Sequence, residues 1–228
     1  YHFQNLKIKV INKRIVWRIF NMQIDKDTQT LIDERIKNNA PPLESFTPQE
    51  LRALRAKMAE TPEELRVYIS DVVDFTLKGT LGPITVRKYF NKQSNTVSNQ
   101  KSPLIIYFHG GGFVMGDLES HDLVCRHLCK QTNATIIAVD YKLAPEHKFP
   151  AAITDTIDSI TEIISRADEF NIDLNKVILC GDSAGGALAA VGTIMSRDKL
   201  IPKVHGQILV YPWVDMTMCR RSMDIDLE

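Results

Sequence analysis

The sequence predicts an α/β fold: a mostly parallel sheet with helices on both faces. Three observations carry this. From Leu104 onward, strand-length apolar runs (104–108, 135–140, 177–180 and 207–211) alternate with helical patterns at 120–131 and 150–170. The runs are apolar without alternation, as strands covered on both sides must be. The third run enters a small-residue helix, 187–195, through the tight turn Cys180-Gly181-Asp182-Ser183-Ala184-Gly185-Gly186.

Taken in order, residues 1–24 form an atypical arm. It carries Lys7, Lys9, Lys13, Arg14 and Arg18 and no acid before Asp25. A targeting or membrane-surface helix is one reading of it. The other is that Met22 is the natural start and the preceding segment is extraneous. From Asp25 the pattern becomes helical, with Leu31, Ile32 and Ile36 on one face and Asn39-Ala40-Pro41-Pro42 as its end. Thr47-Pro48-Gln49-Glu50 is a capping box with proline in the first helical position, and Leu51, Leu54 and Met58 follow as a short stripe. Thr61-Pro62-Glu63-Glu64 repeats the signal. Helices this small bury no core of their own, so residues 25–70 are read as a cap and residues 71–228 as the core. That core opens on a hairpin, 72–77 with 84–90, and a polar loop at 91–103. In the helix at 150–170, Ile153, Ile157, Ile160 and Ile164 follow helical spacing.

Composition narrows the function classes. The 228 residues suit one domain with a small appendage. Lysine plus arginine (28) balances aspartate plus glutamate (28), and no basic stripe is interleaved with aromatics, which argues against nucleic acid as a partner. No apolar run reaches membrane-spanning length. The four cysteines, Cys125, Cys129, Cys180 and Cys219, contain no C-x-x-C pair, so no metal site is expected. That usage fits a reducing compartment, and a cytoplasmic location is expected.

The chemistry gathers at two glycine-rich turns. Strand, G-x-S-x-G, helix is the context of a nucleophile elbow, in which a sharp turn lifts the Ser183 hydroxyl to the carboxyl end of the sheet and a helix N-terminus. The plainer reading is a tight turn with an incidental serine. The run at 104–108 ends in His109-Gly110-Gly111-Gly112-Phe113. Consecutive glycines let backbone N–H groups face a cavity, as the oxyanion of acyl transfer requires. A phosphate loop is excluded, because neither G-x-G-x-x-G nor G-K-[ST] is present.

Together, His109-Gly110-Gly111-Gly112 and Gly181-Asp182-Ser183-Ala184-Gly185-Gly186 resemble the hormone-sensitive-lipase-like branch of the α/β-hydrolase fold. The stretches Gly116-Asp117-Leu118-Glu119-Ser120-His121-Asp122, Asp140-Tyr141-Lys142-Leu143-Ala144-Pro145-Glu146-His147, Phe149-Pro150-Ala151-Ala152 and Tyr211-Pro212-Trp213 fit the same family. The resemblance covers residues 24–223 and implies a serine carboxylesterase acting on short- or medium-chain acyl esters without metal or organic cofactor. It further implies Ser183 as nucleophile and the amides of Gly111, Gly112 and Ala184 as the oxyanion hole. His109 and Asp182 are implied as supporting residues, and Glu146 and His147 as part of a stretch that supports the site.

In that fold the triad acid and then the histidine follow the serine. His205 is the one histidine after Ser183, and it comes too early, just before the run at 207–211. Among the later acids, Asp215 follows Tyr211-Pro212-Trp213, a position the family fills without using it as triad acid. Asp224, Asp226 and Glu228 lie where the chain should still be entering the second part of the cap. The sequence is therefore expected to stop about two strands short, without triad acid or histidine. Two alternatives stand beside an esterase: a non-catalytic ligand-binding protein on a hydrolase scaffold, or an inactive gene fragment. Amide or lactone cleavage is the runner-up among hydrolases.

Overall fold

A computed structural model describes residues 25–39, 41–42, 45–58, 62–91 and 101–217. The basic arm at 1–24, the capping signal's Thr61, most of the polar loop at 91–103, Cys219 and the acids Asp224, Asp226 and Glu228 lie outside the described residues. The chain divides into two compact units, Tyr1–Ser45 and Phe46–Glu228. In the first, helix α1 (Lys26–Lys37) is capped by Asp25, whose carboxylate accepts from the N–H groups of Asp27 and Thr28.

The second unit opens with helix α2 (Pro48–Met58). Its capping box forms: Thr47 N–H donates to Glu50 Oε2 at 2.7 Å, and Glu50 N–H reaches back to Thr47 Oγ1 at 3.3 Å. The sheet follows with β1 (Asp71–Leu77), β2 (Ile84–Phe90), β3 (Ser102–Phe108), β4 (Thr135–Asp140), β5 (Ile172–Asp182) and β6 (Gly206–Val210). Its spatial order is β1-β2-β4-β3-β5-β6. The hairpin β1–β2 and the β2–β4 pair are antiparallel, and the remaining pairs are parallel. Helices α3 (Asp122–Thr132), α4 (Ala151–Ser165) and α5 (Ala184–Arg197) are the crossovers.

Period-2 geometry turns the uniformly apolar strands into two separate cores. Leu104, Ile106, Phe108, Ile137, Val139, Val177 and Leu179 point to one face and pack with Ile160 and Ile163 of α4 and Leu188 and Ala189 of α5. Ile105, Tyr107, Ile136, Ala138 and Cys180 point to the other and pack with Cys125 and Cys129 of α3. The central segments 104–108, 136–139 and 177–180 are therefore apolar at every position.

Element ends differ from the sequence reading for local reasons. The helix expected over 150–170 stops at Ser165, and Asn171 then adopts a left-handed conformation (φ 55°) that turns the chain into β5. The helix expected from Ala187 begins at Ala184, directly after the serine. Tyr211 (φ 34°) leaves β6, which therefore ends at Val210. The buried stripe of α4 also includes polar Asp155, Thr156 and Ser159, not isoleucines alone. The approach to α5 is close there: a Cβ at Gly192 would stand 2.8 Å from Ile160 Cδ1 and Leu179 Cδ1 and 3.7 Å from Thr156 Cγ2. Asp155 is fully buried and accepts from Lys142 N–H (2.9 Å) and Nζ (3.2 Å), which compensates its charge.

Gly181 and Gly185 set how closely the strand–turn–helix unit packs. A Cβ on Gly185 would lie 2.0 Å from Phe108 O, and one on Gly181 would lie 2.4 Å from the Gly185 backbone. These neighbours are backbone and cannot rotate away. Gly185→Ala is expected to destabilise the protein by about 3 kcal/mol, whereas Gly192→Ala, which meets only side-chain tips and gains helix propensity, should stay within ~1 kcal/mol of wild type. Urea unfolding of the two variants measures the difference.

Candidate active site

Strands β3 and β5 are adjacent and parallel, with Phe108 opposite Gly181. From β3 the chain crosses to α3 on one face of the sheet, and from β5 to α5 on the other. The two glycine-rich turns therefore emerge side by side where the connections diverge, which is where open α/β sheets hold their ligands.

Ser183 sits at φ 51°, ψ −116°, a conformation that costs a non-glycine residue about 1–3 kcal/mol. Its surroundings hold it there. Ser183 N–H donates to Val210 O of β6 at 2.9 Å, and Ser183 O accepts from Trp213 N–H at 3.0 Å and Ala187 N–H at 3.1 Å. Among the described residues, no side chain hydrogen-bonds the Ser183 hydroxyl. Gly186 is confined as well, since a Cβ there would stand 2.9 Å from Pro212 Cβ.

The facing turn is made by Gly111 (φ 129°) and Gly112 (φ 62°), where a side chain would be strained. Gly111 O accepts from Val114 N–H at 3.1 Å and Met115 N–H at 3.0 Å. The space beside Gly112 is open, with no atom within 4 Å of a Cβ built on it. Among the described residues, nothing accepts a hydrogen bond from the N–H groups of Gly111, Gly112 or Ala184. The last of these opens helix α5 directly after the serine, at the positive end of that helix.

Asp182 joins the two turns. Its Oδ1 accepts from Tyr107 Oη at 2.7 Å and Gly110 N–H at 2.9 Å, and His121 Nε2 lies 3.5 Å away. Burial pushes the Asp182 carboxyl up, but the hydrogen bonds from His121, Tyr107 and Gly110 outweigh it and leave the group below its ordinary range. Ser120 Oγ stands 2.9 Å from His121 Nδ1 and so orients that ring from behind. A side chain on Gly110 would collide with the same carboxylate, at 2.2 Å.

His109 is 2 % exposed and stacks on Tyr141 at 4.3 Å. Its Nδ1 is 2.8 Å from Gly110 O, while Tyr141 Oη donates to His109 O at 2.6 Å. Burial pushes its pKa down to about 4, so the ring is neutral near pH 7. Glu146 pairs with Arg52, which holds its carboxyl down at about 2, and His147 N–H donates to Leu143 O at 2.9 Å.

His205 is far from the serine. Its N–H donates to Val177 O at 2.7 Å, at the opposite end of the parallel strands. Six strand residues separate that level from Ser183, roughly 20 Å. Asp215 accepts from Thr217 N–H (3.1 Å) and Oγ1 (2.6 Å), and Asp198 pairs with Arg197 at 2.8 Å. The described residues thus bring Ser183, Gly111, Gly112, Ala184, Asp182 and His109 together, and bring His205 to none of them. Sequence reading missed the roles of Tyr107, His121 and Arg52. Tyr107 lies in an unbroken apolar run, and His121 and Arg52 carry no spacing signal toward their partners.

Because the folded carboxyl of Asp182 titrates below the ordinary aspartate value near 4, its stabilisation is present above that pH and is lost as pH falls through the folded value. Asp182→Asn should lower stability at pH 7 by about 2 kcal/mol. It should also flatten the loss of stability between pH 5 and pH 3, as read by denaturant unfolding at each pH.

Comparison with known proteins agrees with this fold. Residues 105–227 match the family model described as the alpha/beta hydrolase fold. The chain is 38% identical over 162 residues to "Esterase LipI" of Mycobacterium tuberculosis, covering 71% of this chain and 50% of that protein. Among solved structures, a hyperthermophilic esterase from the archaeon Pyrobaculum calidifontis is similar at 35% identity with a TM-score of 0.75, covering 84% of this chain and 59% of its own. A thermostable carboxylesterase cloned from a metagenomic library is similar at 37% identity and a TM-score of 0.70, over 77% and 58%. The chain spans about half the length of the curated relatives it matches. By sequence and by fold, it belongs to the hormone-sensitive-lipase-like branch of the α/β-hydrolase family.

Proposed function

We propose that this protein is a serine carboxylesterase in which Ser183 is the nucleophile and the N–H groups of Gly111, Gly112 and Ala184 form the oxyanion hole. The observation that supports the reading is a strained serine turn beside a glycine turn at the ends of adjacent parallel strands, with the N–H groups of Gly111, Gly112 and Ala184 unpaired among the described residues. The names of the relatives, esterases and carboxylic ester hydrolases, support it.

In this reading Ser183 Oγ attacks the ester carbonyl carbon. The carbonyl π pair moves onto oxygen, where the three donors stabilise it, each by roughly 3 kcal/mol in the transition state. Collapse expels the alcohol and leaves an acyl-serine, and water returns the acid and the free serine. The proton of Ser183 must pass to a general base and then to the leaving alcohol. Neither His109, which is buried and neutral, nor His205, at the far end of the sheet, is placed to take it. Asp182 and His109 hold the hole and the elbow in shape. Phe113, in the glycine turn, and Trp213, bonded to the serine turn, have ring centroids 6.2 Å apart, and the preference for a short or medium acyl chain rests on the family resemblance. The chemistry calls for no metal or organic cofactor.

Two measurements test the reading. A fluorophosphonate probe should label Ser183 and no other serine. Ser183→Ala should lower hydrolysis of p-nitrophenyl acetate at least about 10³-fold with the fold intact, and wild-type rates persisting in that variant would refute the assignment.

One observation favours a second reading: among the described residues no imidazole reaches Ser183. A ligand-binding protein on a hydrolase scaffold would bind esters or acids at the same pocket, leave the probe unreacted and show no turnover.

A further inference from the structure

Beyond the packing of the Phe113 ring on the core, the backbone of the turn at 111–115 has few outside anchors among the described residues. Among the described residues it accepts two hydrogen bonds from beyond itself: Ala144 N–H to Phe113 O at 2.8 Å and Arg52 Nε to Val114 O at 2.7 Å. Arg52 also governs the other anchor, because its Nη2 donates to Ala144 O at 2.8 Å. The guanidinium is in turn held by Glu146, with Nη1 to Oε1 at 2.9 Å and Nη2 to Oε2 at 2.8 Å. Gln49, one turn earlier on the same face of α2, reaches Glu146 Oε1 at 3.2 Å. One planar cation from α2 therefore fixes the far side of the glycine turn and the segment packed on it, 92 residues away in sequence.

We propose that Arg52 is a positioning residue for the oxyanion donors: through Val114 and Ala144 it holds the turn that aims the Gly111 and Gly112 N–H groups. The proposal rests on the reading of those groups as the oxyanion hole. The geometry demands arginine. Val114 O, Ala144 O and the two Glu146 oxygens lie around a fork, and a lysine ammonium, a single point on a flexible stem, cannot satisfy all of them. The turn's own bonds, both to Gly111 O, close it locally but do not fix it relative to Ser183. A shift of about 1 Å at such donors costs up to ~10²-fold in rate.

The test compares wild type, Arg52→Met, Arg52→Lys, Glu146→Gln and the double variant Arg52→Met/Glu146→Gln. The readouts are kcat for p-nitrophenyl acetate per fluorophosphonate-titrated site, KM, melting temperature, and affinity for a trifluoromethyl ketone whose serine adduct carries the oxyanion. Arg52→Met should lower kcat per titrated site about 10–100-fold with KM within threefold. Ketone affinity should fall by the same factor. Arg52→Lys should recover little of either. Glu146→Gln should give a smaller loss, and the double variant should be no slower than Arg52→Met, because both act through one path. A clamp that serves only stability would lower the melting temperature and the titratable fraction while leaving kcat per titrated site within threefold of wild type, and that result overturns the proposal. If Arg52→Met does not fold, Arg52→Lys and Glu146→Gln carry the same comparison. A wild-type protein that labels and turns over while the Arg52 variants match it refutes the positioning role alone. A wild type in which Ser183 neither labels nor supports turnover refutes the esterase reading, and this proposal with it.

Discussion

Asp182 ends β5 with a carboxylate that is largely withdrawn from water and accepts hydrogen bonds from Tyr107 and from Gly110 N–H. A charge in that position is costly unless its acceptor sites are filled. The partners come from β3, from the glycine loop after it and, through His121, from the segment leading into α3. One desolvation problem, solved locally, thus joins the two strand ends on which the candidate site is built. Gly110 must be a glycine for the same reason, because the carboxylate occupies the space a side chain would need.

A second constraint is steric. The serine at φ 51° departs from the favoured backbone regions, and its strain is tolerated because both of its backbone polar groups are paired to β6 and to the segment after it. Gly181 and Gly185 let helix α5 start almost on top of Phe108 O, so α5 leaves the sheet at once. The Ala184 amide then sits at the first turn of a helix with its hydrogen unpaired among the described residues. Strain, close approach and free donor are three consequences of one short connection.

Around this centre the two apolar layers do the ordinary work of the fold. Alternating positions of β3, β4 and β5 bury residues on opposite faces, with α4 and α5 on one and α3 on the other. The glycine loop is supported differently. Phe113 packs its ring on the core, and the loop's backbone is held by polar anchors, the Asp182 carboxylate at its start and the Arg52 guanidinium at its far side. Loops that present backbone N–H groups cannot bury themselves, so rigid neighbours must hold them.

The α/β class, the hairpin, the capping box at Thr47 and the strand–turn–helix around Ser183 were legible in the chain because they depend on residues within one or two turns of each other. Apolar runs specify strands covered on both faces, and glycine spacing specifies where backbones approach. The family pattern followed from the same local strings. Element ends were less legible, since Asn171 and Tyr211 stop their elements by backbone geometry that composition only hints at. What the tertiary structure alone decided is the pairing of distant groups. The order β1-β2-β4-β3-β5-β6 brings Phe108 beside Gly181, and Asp182 meets Tyr107 across 75 residues. Arg52 meets Val114 across 62. No local periodicity encodes such contacts: they arise where two surfaces pack, and each depends on the shape of both.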